Sequence, residues 1–165
     1  MLSEPKIEHR DKLNYVAMRS TVTMPEIPSK LPQQIGMVYS WLQRQGLHPT
    51  GAPFFRYISM HGDTLGVDVG FPVAHPVQSD AEVICGNFPA GNYVTVLYTG
   101  NYTGLRDAHM KLEEWSNKTG NKPTSAKDTN GQLLGTRTEH YLSDPNIVKD
   151  PNQWETVIMY LVKED

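Results

Sequence analysis

Glu155 sits in Trp154-Glu155-Thr156-Val157-Ile158-Met159-Tyr160-Leu161, a run otherwise made of strand-forming residues. The two-residue period of a strand puts Glu155, Val157, Met159 and Leu161 on one face and Trp154, Thr156, Ile158 and Tyr160 on the other. The first set is apolar apart from Glu155. A carboxylate on such a face can serve as counter-charge to a ligand cation, because a buried acid without a partner is costly. With equal standing, Glu155 is a solvated residue at a strand end. Asp68 interrupts a second apolar run, Gly66-Val67-Asp68-Val69-Gly70-Phe71. Its flanking glycines favour an exposed edge-strand charge, and it is carried as a second candidate ligand-binding acid. Phe55, Tyr57, Tyr98, Tyr102, Tyr141 and Trp154 fall at strand ends or turns. Together with an acid they could cage a cation or a flat ligand; singly, each reads as a packing residue.

Other chemistries find little support. The six histidines make no His-x-x-x-His or His/Cys pattern, so no metal is expected. No nucleophile elbow or phosphate loop is present, and no cofactor is expected. Cys85 is the single cysteine, which rules out an internal disulfide, and it reads as a small buried hydrophobe. Fifteen basic against eighteen acidic residues give a net charge of −3 with no basic cluster, so direct nucleic-acid binding has no electrostatic footing. No apolar run is long enough to span a bilayer. The polar start Met1-Leu-Ser-Glu-Pro-Lys is not a signal peptide, and a cytoplasmic location is expected.

The elements that must position these residues come in two sets. Trp41, Gly46 and Pro49 recur as Trp115, Gly120 and Pro123, each displaced by 74 positions. Each triplet reads as the last turn of a helix, its glycine stop and the departing chain. Leu31, Ile35, Val38 and Leu42 mark a helix over about Lys30 to Gln45; Leu105, Ala108, Leu112 and Trp115 mark another over Leu105 to Thr119. Both tryptophans read as structural. Strands are expected over Ile7–Val22, Phe54–Met60, Leu65–Ala74, Asn92–Gly100, Leu134–Leu142 and Trp154–Lys163. The connector Val77–Phe88 carries Val83, Ile84 and Cys85 and is expected to pack; 118–130 is expected to be a polar loop. Each half, about 1–76 and 77–165, thus reads strand, helix, strand, strand, and two such units facing each other create a cleft. The chain of 165 residues is expected to be a single α+β domain.

The runs Tyr15-Val-Ala-Met-Arg-Ser-Thr-Val-Thr-Met24, Val69-Gly-Phe-Pro-Val73, Phe88-Pro-Ala-Gly-Asn-Tyr93, Thr99-Gly-Asn-Tyr-Thr-Gly-Leu105 and Tyr141-Leu-Ser-Asp-Pro145 with Trp154-Glu-Thr156 resemble the GyrI-like, or AraC-type effector-binding, small-molecule-binding domain family. Asn101 stands where that family's turn has proline. The resemblance implies duplicated β-α-β-β units with pseudo-twofold symmetry, antiparallel sheets and a central ligand groove. It implies that Glu155 meets amphipathic, cationic or aromatic ligands there, with Trp154, Tyr141 and Tyr102 around it. A hydrolase acting on cyclopropane-bearing genotoxic alkylators is the alternative, with Glu155 activating water and Tyr141 or Tyr102 donating to the leaving oxygen. A third reading is a protein partner: a separate transcription regulator or gyrase.

Overall fold

The computed structural model describes residues 1–128 and 130–163. Residue 129 of the expected polar loop and the last two residues of the expected domain lie outside the described residues. Strands β1 (Lys6–Arg10), β2 (Leu13–Thr23), β3 (Phe54–His61), β4 (Thr64–Pro72), β5 (Ile84–Phe88), β6 (Gly91–Thr99), β9 (Arg137–Tyr141) and β10 (Glu155–Leu161) form one curled sheet in the order β1-β6-β10-β9-β3-β4-β2-β5. Every pairing in it is antiparallel. Strands β7 (Ser125–Lys127) and β8 (Leu133–Gly135) pair separately. Helices α1 (Ile27–Lys30), α2 (Pro32–Arg44) and α3 (Leu105–Thr119) complete the elements used below.

Both helix stops fall where the tryptophan-glycine pattern predicts. Gly46 and Gly120 have φ of 69° and 74°, the left-handed backbone that glycine adopts without a Cβ penalty. Pro32 occupies the first turn of α2, where its missing N–H has no intrahelical partner to lose.

Some expected strands divide. The expected Ile7–Val22 strand breaks at Asp11-Lys12 into β1 and β2, and the expected Leu134–Leu142 strand breaks at Thr136 into β8 and β9. In the second break, the side chain of Thr136 takes over a ladder role, its hydroxyl accepting from the Leu161 N–H at 3.0 Å. The connector packs: Val83 is buried, and β5 pairs with β2 at a sheet edge. Cys85 on that edge strand is half-buried rather than enclosed.

The helices cover one face of the sheet at two places. Val38, Trp41 and Leu42 of α2 pack on Val16 and Phe71, and Leu31 packs beside Val22, Val67 and Phe55. Leu105, Ala108 and Leu112 of α3 pack on Val94, Val96, Ile158 and Tyr160. The β3–β9 strip lies between these two patches, and Tyr141 touches both. On the opposite face, Tyr15, Ala17, Phe54 and Phe88 form their own cluster.

Candidate functional site

Cross-strand register sets the site. Glu139 on β9 lies opposite Phe55 of β3 and Ile158 of β10, so it shares their helix-covered face. It is 4% exposed. Its Oε1 accepts hydrogen bonds from the Tyr57 hydroxyl at 2.8 Å and the Tyr141 hydroxyl at 2.7 Å. Its Oε2 lies 2.7 Å from Nε2 of His109 on α3. Burial alone would push this carboxyl up, but the hydrogen bonds and charge of His109, with those of the two tyrosines, outweigh it and hold Glu139 below the ordinary carboxylate range. The same carboxylate, together with burial, pushes the Tyr57 and Tyr141 hydroxyls well up, so both stay protonated donors.

An aromatic chain runs outward from this acid. Phe55 meets Tyr141 edge-on at 5.0 Å between ring centroids, Tyr102 meets Tyr141 at 5.5 Å, and Trp154 meets Tyr102 at 4.5 Å. The indole Nε1 of Trp154 donates to the Val148 carbonyl at 2.7 Å, which fixes that ring over the loop before β10. Thr156 lies on the same face, opposite Tyr98 and Tyr141 in register, and is fully buried. Its hydroxyl has no hydrogen-bond partner among the described residues. Leaving such a group without a partner costs about 1–3 kcal/mol.

Five of the six aromatics singled out in the sequence, Phe55, Tyr57, Tyr102, Tyr141 and Trp154, therefore come together. Tyr98 stands beside them, packed against the α3 core, with its hydroxyl donating to the Asn101 carbonyl at 2.7 Å. The two acids singled out do not join them. Glu155 is exposed at the first position of β10, the solvated strand-end placement of its two readings. Its backbone N–H donates to the Ser143 hydroxyl at 2.9 Å. Strand alternation also turns it to the face opposite Glu139. Asp68 is no edge charge: β4 lies between β2 and β3, and Asp68 is 0% exposed. It faces away from Phe55 and Val67, and accepts from Arg19 Nε at 2.7 Å, Arg19 Nη2 at 3.0 Å and the Tyr15 hydroxyl at 2.7 Å. Arg56, itself buried, donates to that same Tyr15 hydroxyl at 3.0 Å.

Glu139 and His109, which the sequence did not single out, are the acid and the imidazole at the centre of this cluster. Arg137-Thr-Glu-His-Tyr141 has no apolar residue before its last position, so alternation could not tell which face is inside. The one available signal was the spacing of Glu139 two residues before Tyr141, which puts both on one face of a strand. His109 follows Ala108 on the α3 stripe and lies at its margin. Among the described residues no group of three His, Cys, Asp or Glu side chains is placed to hold a metal.

The model of the GyrI-like small molecule binding domain matches residues 3–163, and the chain belongs to that family. It is a small-molecule-binding domain. The fold is similar to the EcmrR C-terminal domain, with a TM-score of 0.78 at 20% identity, covering 98% of each chain. The EcmrR chain seen in a DNA complex aligns with a TM-score of 0.80 at 20% identity, and this chain spans 58% of its length. SAV2435 bound to tetraphenylphosphonium gives a TM-score of 0.68 at 11% identity, covering 98% of this chain and 94% of that one. A hydrolase from Listeria innocua gives 0.60 at 12% identity, covering 97% and 92%. No protein of curated function matches the chain in sequence. No helix among the described residues is long and apolar enough to cross a membrane.

Proposed function

We infer that this domain binds amphipathic cations over the β3–β9 strip between α2 and α3, with Glu139 as counter-charge and Phe55, Tyr57, Tyr102, Tyr141 and Trp154 as stacking surface. One observation carries this reading: a carboxylate 4% exposed whose ionised form is held by hydroxyls and one imidazole, ringed by aromatics, with no arginine or lysine paired to it among the described residues. A buried negative charge without a permanent cationic partner is a site for one supplied from outside. The tetraphenylphosphonium bound to SAV2435 is a ligand of this type on the same fold.

The strand order supports a duplicated architecture of halves 1–76 and 77–165 about a pseudo-twofold axis. The order β1-β6-β10-β9 followed by β3-β4-β2-β5 reads the same from either end when β1, β2, β3 and β4 exchange with β5, β6, β9 and β10. Such an axis runs between β3 and β9, the strands that carry Tyr57 and Glu139.

The test is binding of tetraphenylphosphonium and its neutral counterpart triphenylphosphine oxide by calorimetry. Glu139→Gln should raise the cation's Kd about tenfold or more and change the neutral compound's by less than about threefold. Glu155→Gln should change neither by more than about twofold, because its charge is screened by water. Equal weakening of both ligands by Glu139→Gln sinks the counter-charge role.

Hydrolysis of an electrophilic cyclopropane is the second reading, favoured by the same acid–imidazole pair with two hydroxyl donors beside it. Glu139 would then take a proton from a water whose oxygen bonds to a ring carbon; the ring C–C bond would break, and Tyr57 or Tyr141 would donate to the conjugated carbonyl oxygen that takes up its electron pair. Product detected by mass spectrometry with wild type and absent with Glu139→Gln would select it over simple binding.

A further inference from the structure

The partners of Glu139 divide between its two oxygens. Both tyrosine hydroxyls donate to Oε1, and each comes from the sheet itself. Oε2 has His109, which comes from α3 and is 17% exposed at its side chain against 6% for Glu139. The imidazole is thus the partner supplied by a helix and is less buried than the acid, whereas the tyrosines are supplied by the sheet. Helix α3 is anchored by Leu105, Ala108 and Leu112, so His109 can leave Oε2 by side-chain rotation while the helix stays seated.

We propose, building on the assignment of Glu139 as counter-charge, that His109 is a displaceable internal cation: a ligand cation takes its place at Glu139 Oε2 and the imidazolium gives up its proton to solvent, so that cation binding and proton release are one event. A bulky cation seated at Oε2 would keep the turned imidazole covered beside it, so the two would share one buried site. A protonated His109 beside ionised Glu139 makes a neutral site, and a second cation entering that site would leave one buried positive charge uncompensated. A neutral His109 leaves a net charge of −1, which the ligand cancels. Proton and ligand therefore compete for one carboxylate, and linkage makes each weaken the other by the same factor.

The groups facing His109 from the neighbouring elements are mostly phenols and apolar side chains. Tyr57 of β3 meets it edge-on at 6.3 Å, and its hydroxyl, like that of Tyr141 on β9, is pushed well up by burial and by Glu139. Tyr102, in the turn before α3, is pushed up by burial and by its acidic neighbours Asp144 and Glu139. Arg137, two residues from Glu139 on β9, lies over the Tyr160 ring at 5.8 Å. On α3 itself Arg106 and Glu113, one turn away on either side, are exposed. On this face β2 and β4 carry aliphatic side chains, Ser20 and Phe71, none of them titratable. Imidazole is the side chain that ordinarily changes charge between pH 5 and 8.

Tetraphenylphosphonium is the right probe because its own charge cannot titrate. Its affinity and proton release should be measured by calorimetry from pH 5.5 to 8, in buffers of different ionisation enthalpy, for wild type, His109→Gln and Glu139→Gln. Wild type should release close to one proton per cation at the acid end, with Kd improving about tenfold per pH unit there and levelling off above. Triphenylphosphine oxide should show neither effect. His109→Gln should bind the cation with no proton release and no pH slope. The wild-type His109 proton resonances should in addition move from the imidazolium to the neutral position when the cation is added at constant pH, a readout that needs no variant to fold. Cation binding to wild type without proton release, or without that shift, overturns the exchange and leaves the binding function standing. No cation binding at any pH overturns both.

Discussion

Asp68 and Glu139 are both carboxylates inside the sheet, and their partners set them apart. Asp68 accepts two hydrogen bonds from Arg19, whose guanidinium is charged at every pH a folded protein survives. Its charge is cancelled for good, and the group is part of the scaffold. Among the described residues, Glu139 has only hydroxyls and an imidazole as side-chain partners. Next to it in sequence, His140 points to the other face, among Phe54 and Phe88, with Nε2 2.9 Å from the Thr138 hydroxyl. Burial lowers this imidazole to about 4, with Arg10 adding to the effect and Glu139 opposing it. The unfolded chain takes up that proton near pH 6.5 and the folded chain only near pH 4. Across that window the unfolded state binds more protons, so stability falls as pH falls, by about 3 kcal/mol in all, and above pH 6.5 the residue contributes nothing. Glu139, held below its ordinary range, adds stability at neutral pH that is lost only further down, below about pH 4.5. Urea midpoints measured from pH 7 to 4.5 should therefore drop for wild type and stay nearly level for His140→Gln. A parallel drop in both proteins would assign the acid sensitivity elsewhere.

At the scale of elements, close backbone approach matters as much as side-chain pattern. Gly70 on β4 faces β2 so tightly that an added Cβ would stand 1.8 Å from the Val16 carbonyl oxygen and 2.8 Å from Ala17 Cα. Backbone cannot swing aside as a side chain can, so Gly70→Ala should part β2 from β4. It is expected to cost at least about 2 kcal/mol in urea denaturation. A smaller loss would mean that the two strands can shift locally. The helices were the most legible elements in the sequence: α3 begins and ends where its stripe and glycine stop place it. That Phe55, Tyr102, Tyr141 and Trp154 meet was legible as aromatics set at neighbouring strand ends and turns. The acid beside them was not. Glu155 sits in an apolar run that advertises a face, whereas Glu139 sits in a polar run whose inside is decided by β3 and β10 on either side. That information is spread over residues up to 84 positions apart, as in the Phe55–Glu139 pairing, and no local period contains it.

At the scale of the whole molecule, the outer strands are exchanged between the ends of the sequence. β1, from the N-terminal part, pairs with β6, and β5, which follows the connector, pairs with β2. Phe88 of β5 closes the cluster around Tyr15 and Phe54. A cut between residues 76 and 77 removes from each piece an edge strand that only the other supplies. Fragments 1–76 and 77–165 should each lack a cooperative thermal transition by circular dichroism. Mixed together, they should recover one. A cooperative melt of either fragment alone would show that the exchanged strands are dispensable.

The same exchange bears on where such a chain could come from. A polypeptide of half this length would end with an unfilled sheet edge and a loose strand, and a second copy would fill the one with the other. Two such copies, each lending its first strand, would possess the whole eight-strand order and a single shared seam between their third strands. Joining them end to end would alter no pairing, but it would free the two sides of the seam to diverge. That seam is where Glu139 of the second half meets His109 of the same half, and where β3 sets Phe55 opposite it instead of a second acid.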